Sequence, residues 1–206
     1  MDNYGLDNLE MSKKRNHKVN ITDEAIQKVP YIRYKEIPEE EYEIIQKLTQ
    51  QVLKLAKDEN DSNEVAITYS FDTEKVIANE NVVGIQFGDE HSVDPLADAT
   101  TYHLIMTSRE CMVVSMHNHP SLPLISVTDI RFFLQYGSIR LLVVVTNLGS
   151  VSYMVKSRRF DYIKSVELLN KTIQRYNEAH DLKEYQDATK YFISHCYEAG
   201  IIYENR

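Results

Sequence analysis

The segment His117-Asn118-His119-Pro120-Ser121-Leu122-Pro123-Leu124-Ile125-Ser126-Val127-Thr128-Asp129 concentrates residue types that bind metal ions. Two histidines one residue apart can both reach a single ion when the backbone is extended or turning. Asp129, ten residues after His119 and at the start of an expected helix, adds a hard oxygen ligand. Two imidazoles and one carboxylate leave one position of a tetrahedral Zn²⁺ open for water, which is the layout of a catalytic zinc site. Iron and manganese accept the same ligands, so zinc follows from ligand type and open geometry. Ser126, three residues before Asp129, has two readings. It is a helix N-cap, or its hydroxyl donates to a developing oxyanion. A lone HxH is a weak signal in a chain with seven His; the Ser and Asp at fixed offsets behind it sharpen the pattern.

Other chemistries find little support. There is no GxSxG elbow and no Gly-rich phosphate loop. Zinc deaminases require HxE and PCxxC, and neither is present. At 206 residues the chain is short for the eight βα units of a metal-dependent barrel hydrolase. His91 and His103 lie nearest in sequence to the motif; each is a surface or core residue, a group supporting the ligands, or a substrate contact. Cys111 precedes an apolar strand and reads as a small core residue.

The elements that must position these residues follow from periodicity. Ile37-Pro38-Glu39-Glu40-Glu41 is a helix start, and Ile45, Leu48, Val52 and Leu55 form one apolar face behind it. The period then changes to two over 65–71, and Asp72-Thr73-Glu74-Lys75 reads as a polar turn into a second strand over 76–87. The second arm of this hairpin is expected beside the Val113–Met116 strand. A helix is expected from Ser126 through Leu134. Leu141–Val145 is apolar on both faces, so it reads as a central strand, followed by a hairpin arm over 151–155. The stripe Phe160, Ile163, Val166, Leu169, Ile173 and Tyr176 is helical, and Tyr185, Phe192 and Cys196 suggest a last helix. That stripe completes the core or forms an interface with a second copy or a partner. Strands interleaved with helices imply an α/β (α+β) fold with one central sheet. The expected divisions are a polar tail over 1–30, a catalytic domain with its leading helix over 31–158, and a helical extension over 159–206.

Composition narrows the setting. With 43% apolar and 26% charged residues, the chain is that of a globular protein. The formal net charge of −8 argues against strong nucleic-acid binding, although Lys13-Lys14-Arg15-Asn16-His17-Lys18 is a local basic run. Two distant cysteines, Cys111 and Cys196, rule out a disulfide framework. No apolar run is long enough for a membrane span, and no signal-peptide layout opens the sequence. A cytoplasmic setting is expected.

The HxH, spacer and SxxD pattern resembles the JAB/MPN (JAMM) metalloprotease motif, and HNHPS with Asp129-Ile130 resembles its RadC-like branch. Similar stretches are Val76-Ile77-Ala78-Asn79-Glu80-Asn81-Val82-Val83-Gly84 upstream, and Leu141–Val145, Asn147-Leu148-Gly149 and Val151-Ser152-Tyr153 downstream. The resemblance covers about 64–156. The spacer from Pro120 to Ile125 is one residue shorter than the commonest family pattern, and the SxxD interval is kept. The resemblance implies a central mixed sheet flanked by helices, similar to the cytidine-deaminase plan. It also implies one Zn²⁺ per chain on His117, His119 and Asp129. It implies cleavage of a peptide or isopeptide amide in a protein or peptide substrate. Two other family roles, a non-catalytic binding module and a DNA-associated protein, remain alternatives. The family needs an upstream glutamate as general base and then acid. Glu80, expected within a strand, is the assignment, with Glu74 at the polar turn as the other candidate.

Overall fold

A computed structural model describes residues 18–121 and 125–206. Most of the basic run and of the expected tail, and the spacer residues 122–124, lie outside the described residues. The helices are α1 (Asp23–Lys28), α2 (Tyr42–Glu59), α3 (Thr73–Ile77), α4 (Ala99–Thr107), α5 (Val127–Gln135), α6 (Tyr162–Asn177) and α7 (Leu182–His195). The strands are β1 (Val65–Ser70), β2 (Val83–Phe87), β3 (Val113–His119), β4 (Ile139–Thr146), β5 (Val151–Lys156) and β6 (Ile201–Asn205). They form one six-stranded mixed sheet in the order β2-β1-β3-β4-β5-β6. Among the described strands only β3 and β4 pair in parallel. The central apolar run lies in β4, as its sequence predicts.

Alternation along the strands divides the interior into two layers. Val65, Ile67, Val114, Met116, Leu141 and Val143 face α2, where they meet Ile45, Val52 and Leu53. Leu142, Val144 and Met154 face the other way, onto Ile130 and Phe133 of α5, Leu168 and Leu169 of α6, and Phe192 of α7. Of the expected stripe, Leu169 is buried in this layer and Phe160, Ile173 and Tyr176 pack against it, whereas Ile163 is exposed; the buried face of α6 is Ser165, Leu168, Leu169 and Thr172. Among the described residues no helix is long and apolar enough to cross a membrane.

Several sequence expectations need correction. The polar turn at 72–75 is the start of α3: the Asp72 carboxylate accepts from Glu74 N–H and is gripped by Arg109 through its backbone N–H, Nε and a guanidinium nitrogen. A fully buried carboxylate with that many donors nucleates a helix where a turn was expected. The second strand accordingly begins at Val83, not at 76. It lies at the sheet edge, and the first arm, β1, is the neighbour of β3. The order follows from burial, since every residue of β1 is buried while β2 is partly exposed.

At the N-terminal side, residues 18–30 are part of the domain. Ile21, Ala25 and Val29 are buried, and α1 is capped by Thr22 Oγ1. The extension after residue 158 is not only helical: β6 pairs with β5 and joins the sheet. Gly200 turns the chain into β6 at φ +72°, where any side chain would collide with the Arg159 carbonyl.

The Arg109 grip holds the Asp72 carboxyl at about 2, against burial that pushes it up. A depressed carboxylate contributes stability that is present above its unfolded value near 3.9 and lost as pH falls toward 2. Asp72→Asn should therefore cost about 2 kcal/mol at neutral pH. Urea unfolding of the two proteins should converge near pH 2; a difference that persists there would show that the charge is not its source.

Candidate metal centre

β3 ends in His117-Asn118-His119, so strand alternation sends both imidazoles to the face that α5 covers and Asn118 to the opposite face. The Nε2 atoms of His117 and His119 lie 3.0 Å apart. The Asp129 carboxylate closes a triangle, with Oδ1 3.1 Å from His117 Nε2 and Oδ2 3.3 Å from His119 Nε2. Bonds of about 2.0–2.1 Å to a tetrahedral ion imply ligand-to-ligand edges of about 3.3 Å. The three edges are within a few tenths of an ångström of that value. The donor set, two imidazoles and one carboxylate converging from buried positions, fits a divalent cation of the zinc type.

α5 brings Asp129 to this point. Ser126 is its N-cap, and its Oγ accepts from Asp129 N–H at 3.1 Å while Asp129 Oδ2 accepts from Ser126 N–H at 2.7 Å. This reciprocal capping box fixes the carboxylate on the first turn, where the positive end of the helix dipole favours it. Ser126 Oγ is the acceptor in that bond, so its own O–H is still available to donate. The far end of α5 is held by Lys156, whose ammonium donates to the Tyr136 carbonyl at 2.8 Å and lies over the Phe133 and Phe160 rings. Burial pushes that ammonium down to about 8. Burial also raises the Asp129 carboxyl, but the His117 and His119 imidazoles outweigh it and hold the group well below the usual carboxylate range.

The expectation that Glu80 faces these ligands does not hold. Glu80 follows α3 in a turn and accepts from Lys75 Nζ at 2.9 Å, with His103 Nε2 also at 2.9 Å. Val82 bonds Ser70, and Ser70 is level with Val113 on β3. That is the end of the ladder away from His117 and His119. His103 stays with Glu80, and the His91 N–H bonds the Asp89 carboxylate, so neither histidine belongs to the cluster. Glu74 is exposed on α3 beside Arg109.

A different glutamate occupies the position that Glu80 was expected to fill. Ala66 is opposite His117 in the β1–β3 ladder, so two residues back Glu64 is level with His119 and on the same face. Glu64 is 7% exposed. Burial pushes its carboxyl up to about 7, the His119 and His117 imidazoles pull it down, and the Asp129 carboxylate pushes it up again. All three candidate ligands are thus in electrostatic reach. The sequence held one signal for it: Glu64 immediately precedes β1 and is in phase with Ala66, the face that does not carry Val65 and Ile67.

Comparison with family models, curated proteins and solved structures returns no match for this chain. The site's chemistry therefore rests on its own geometry.

The purified protein should bind about one Zn²⁺ per chain by calorimetry. His119→Ala and Asp129→Asn should each weaken binding by more than about 100-fold, beyond the range for residues that merely support ligands. Glu80→Gln should leave it unchanged. Parent-like affinity in His119→Ala would remove the site.

Proposed function

We propose that this protein is a metal-dependent hydrolase of amide bonds, with zinc as the metal and a peptide or isopeptide as substrate. The observation that carries the reading is the buried acid Glu64, poised at the same strand level as a triangle of two Nε2 atoms and a carboxylate with metal-ligand spacing. The resemblance of HNHPS and SxxD to the JAB/MPN motif supplies the amide as substrate bond.

Zinc bound by His117, His119 and Asp129 would act as a Lewis acid and lower the pKa of a water to about 7. Glu64 takes the proton from the attacking water and later delivers it to the leaving amine nitrogen. Glu64 is a buried carboxyl level with His119, so it can take a proton in the first step and return it in the second. The Ser126 O–H, held at the α5 N-terminus, donates to the carbonyl oxygen as negative charge builds on it. The low exposure of His117, His119 and Glu64 limits bulk water at the site, which strengthens each of these interactions.

The test is a panel of peptide and isopeptide substrates assayed with zinc-loaded protein. Glu64→Gln should retain zinc and lose about 10²- to 10⁴-fold in kcat. Glu80→Gln should cleave at the parent rate. Full activity in Glu64→Gln on a substrate that the parent cleaves would assign the base elsewhere.

A further inference from the structure

Asn118, the residue between the two candidate ligands, points away from them and is fully buried. Its Oδ1 accepts from Val65 N–H at 2.7 Å. Its Nδ2 donates to the Asn63 carbonyl at 3.1 Å and to Asn147 Oδ1 at 2.8 Å. One side chain therefore grips the backbone on both sides of Glu64. We propose that Asn118 is a positioning residue for Glu64: it fixes the main chain of residues 63–65 so that the carboxylate is level with His119.

The bonding around this stretch shows why a side chain is needed there. On the β2 side, Glu64 is tied by its own groups, with its N–H donating to Asp89 and its carbonyl accepting from Gly88 N–H and Asn60 Nδ2. On the β3 side, the Val65 N–H is taken by the Asn118 amide. Asn147 completes the clamp. Its backbone N–H donates to the His119 carbonyl, and its Nδ2 donates to the Ser62 and Val19 carbonyls. The two amides thus join residues 62–65 to the strand that bears both histidines. An amide is required because the site demands one acceptor and two donors in a plane; a carboxylate lacks the donors and a hydroxyl lacks the reach. Buried networks of this kind are costly when partly satisfied, and here both N–H-bearing amide nitrogens are engaged.

This inference rests on the reading of Glu64 as the acid–base group, and it is tested without substrate. Co²⁺ replaces zinc, and its visible absorption reports the surroundings of the open coordination position. Glu64→Gln should shift the cobalt band. Asn118→Ser should bind Co²⁺ within about tenfold of the parent affinity and shift the band in the same way. The Asn118→Ser, Glu64→Gln double variant should match Glu64→Gln alone, because Asn118 acts through that carboxylate. Leu53→Ala, a core change on α2 that lowers stability without touching the clamp, should leave the band where it is. If Asn118→Ser does not fold, Asn118→Asp serves, since it keeps the acceptor for Val65 N–H and loses both donors; a partial shift is expected.

A parent-like band in the folded Asn118 variant, or additive shifts in the double variant, overturns the clamp while Glu64 keeps its role. A band that Glu64→Gln leaves unmoved overturns both the clamp and the reading of Glu64. Failure of the parent protein to bind cobalt at all overturns the metal-dependent function and the clamp together.

Discussion

In the ladder between β1 and β3, Ala66 stands opposite His117, and everything at the site depends on that register. Side chains alternate with a period of two, so a slip of one residue would reverse the faces of a whole strand. Glu64 would then enter the apolar layer beneath α2, and Val65 would meet the histidines. Burying a carboxylate among Ile45, Val52 and Ile67 without partners would cost several kcal/mol. The register is locked by the opposite face: Val65, Ile67 and Tyr69 pack against α2, and all are at most 7% exposed. The hydrophobic layer on one side of the sheet thus sets the geometry of the polar site on the other.

The site sits where β3 and β4 end. These are the only parallel neighbours among the described strands, and α5 leads from one to the other. In α/β sheets ligands gather at the carboxyl ends of parallel strands, beside the N-termini of the helices that follow. Asp129 occupies that helix N-terminus, while His117 and His119 occupy the strand end. Three polar groups converge there with little access to water, and each would be destabilising alone. Their mutual attraction offsets part of that cost, as the depressed Asp129 carboxyl indicates. A divalent cation held there, as proposed, would offset more, and binding and stability would be linked: a ligand at 1,000 times its Kd stabilises the native state by about 4 kcal/mol.

The sequence disclosed the strand-and-helix parts whose period was long and unmixed. β4 is apolar on both faces, α2 carries one clean stripe, and HxH with SxxD marks a strand end and a helix start. Glu80 was misplaced because the position of a carboxylate beside the histidines depends on pairing rather than on local pattern. Glu80 belongs to a stretch with strand-like residues, Val76-Ile77 and Val82-Val83, interrupted by the Asp72–Arg109 grip. That contact spans distant parts of the chain and has no local signature. The helix α3 that it nucleates removes Glu80 from the sheet. Glu64, by contrast, lies one residue outside a strand, and only the β1–β3 register joins it to His119. β6 was hidden for a related reason: its partner β5 is 45 residues earlier, and Gly200 ends the helical region by a turn that only its backbone permits.

The spacings of the motif now have structural as well as chemical causes. In HNH, the strand period of two puts the first and third residues on one face and turns the second to the other. The two candidate ligands therefore take no part in packing the α2 side, and the middle residue bonds the neighbouring strand. In SxxD, the interval of three is the distance from an N-cap to the third helical residue. The same bonds that cap the helix aim the carboxylate, so the Ser126 cap and the position of Asp129 as a candidate ligand are not separable demands on the sequence. A change in either interval would fail twice, once by misdirecting a candidate ligand and once by leaving a backbone N–H without the partner that Asn118, Ser126 or Asp129 supplies. Between these two intervals the sequence places the spacer from Pro120 to Ile125. A spacer of different length is compatible with the site provided the strand end and the helix cap keep their internal spacing.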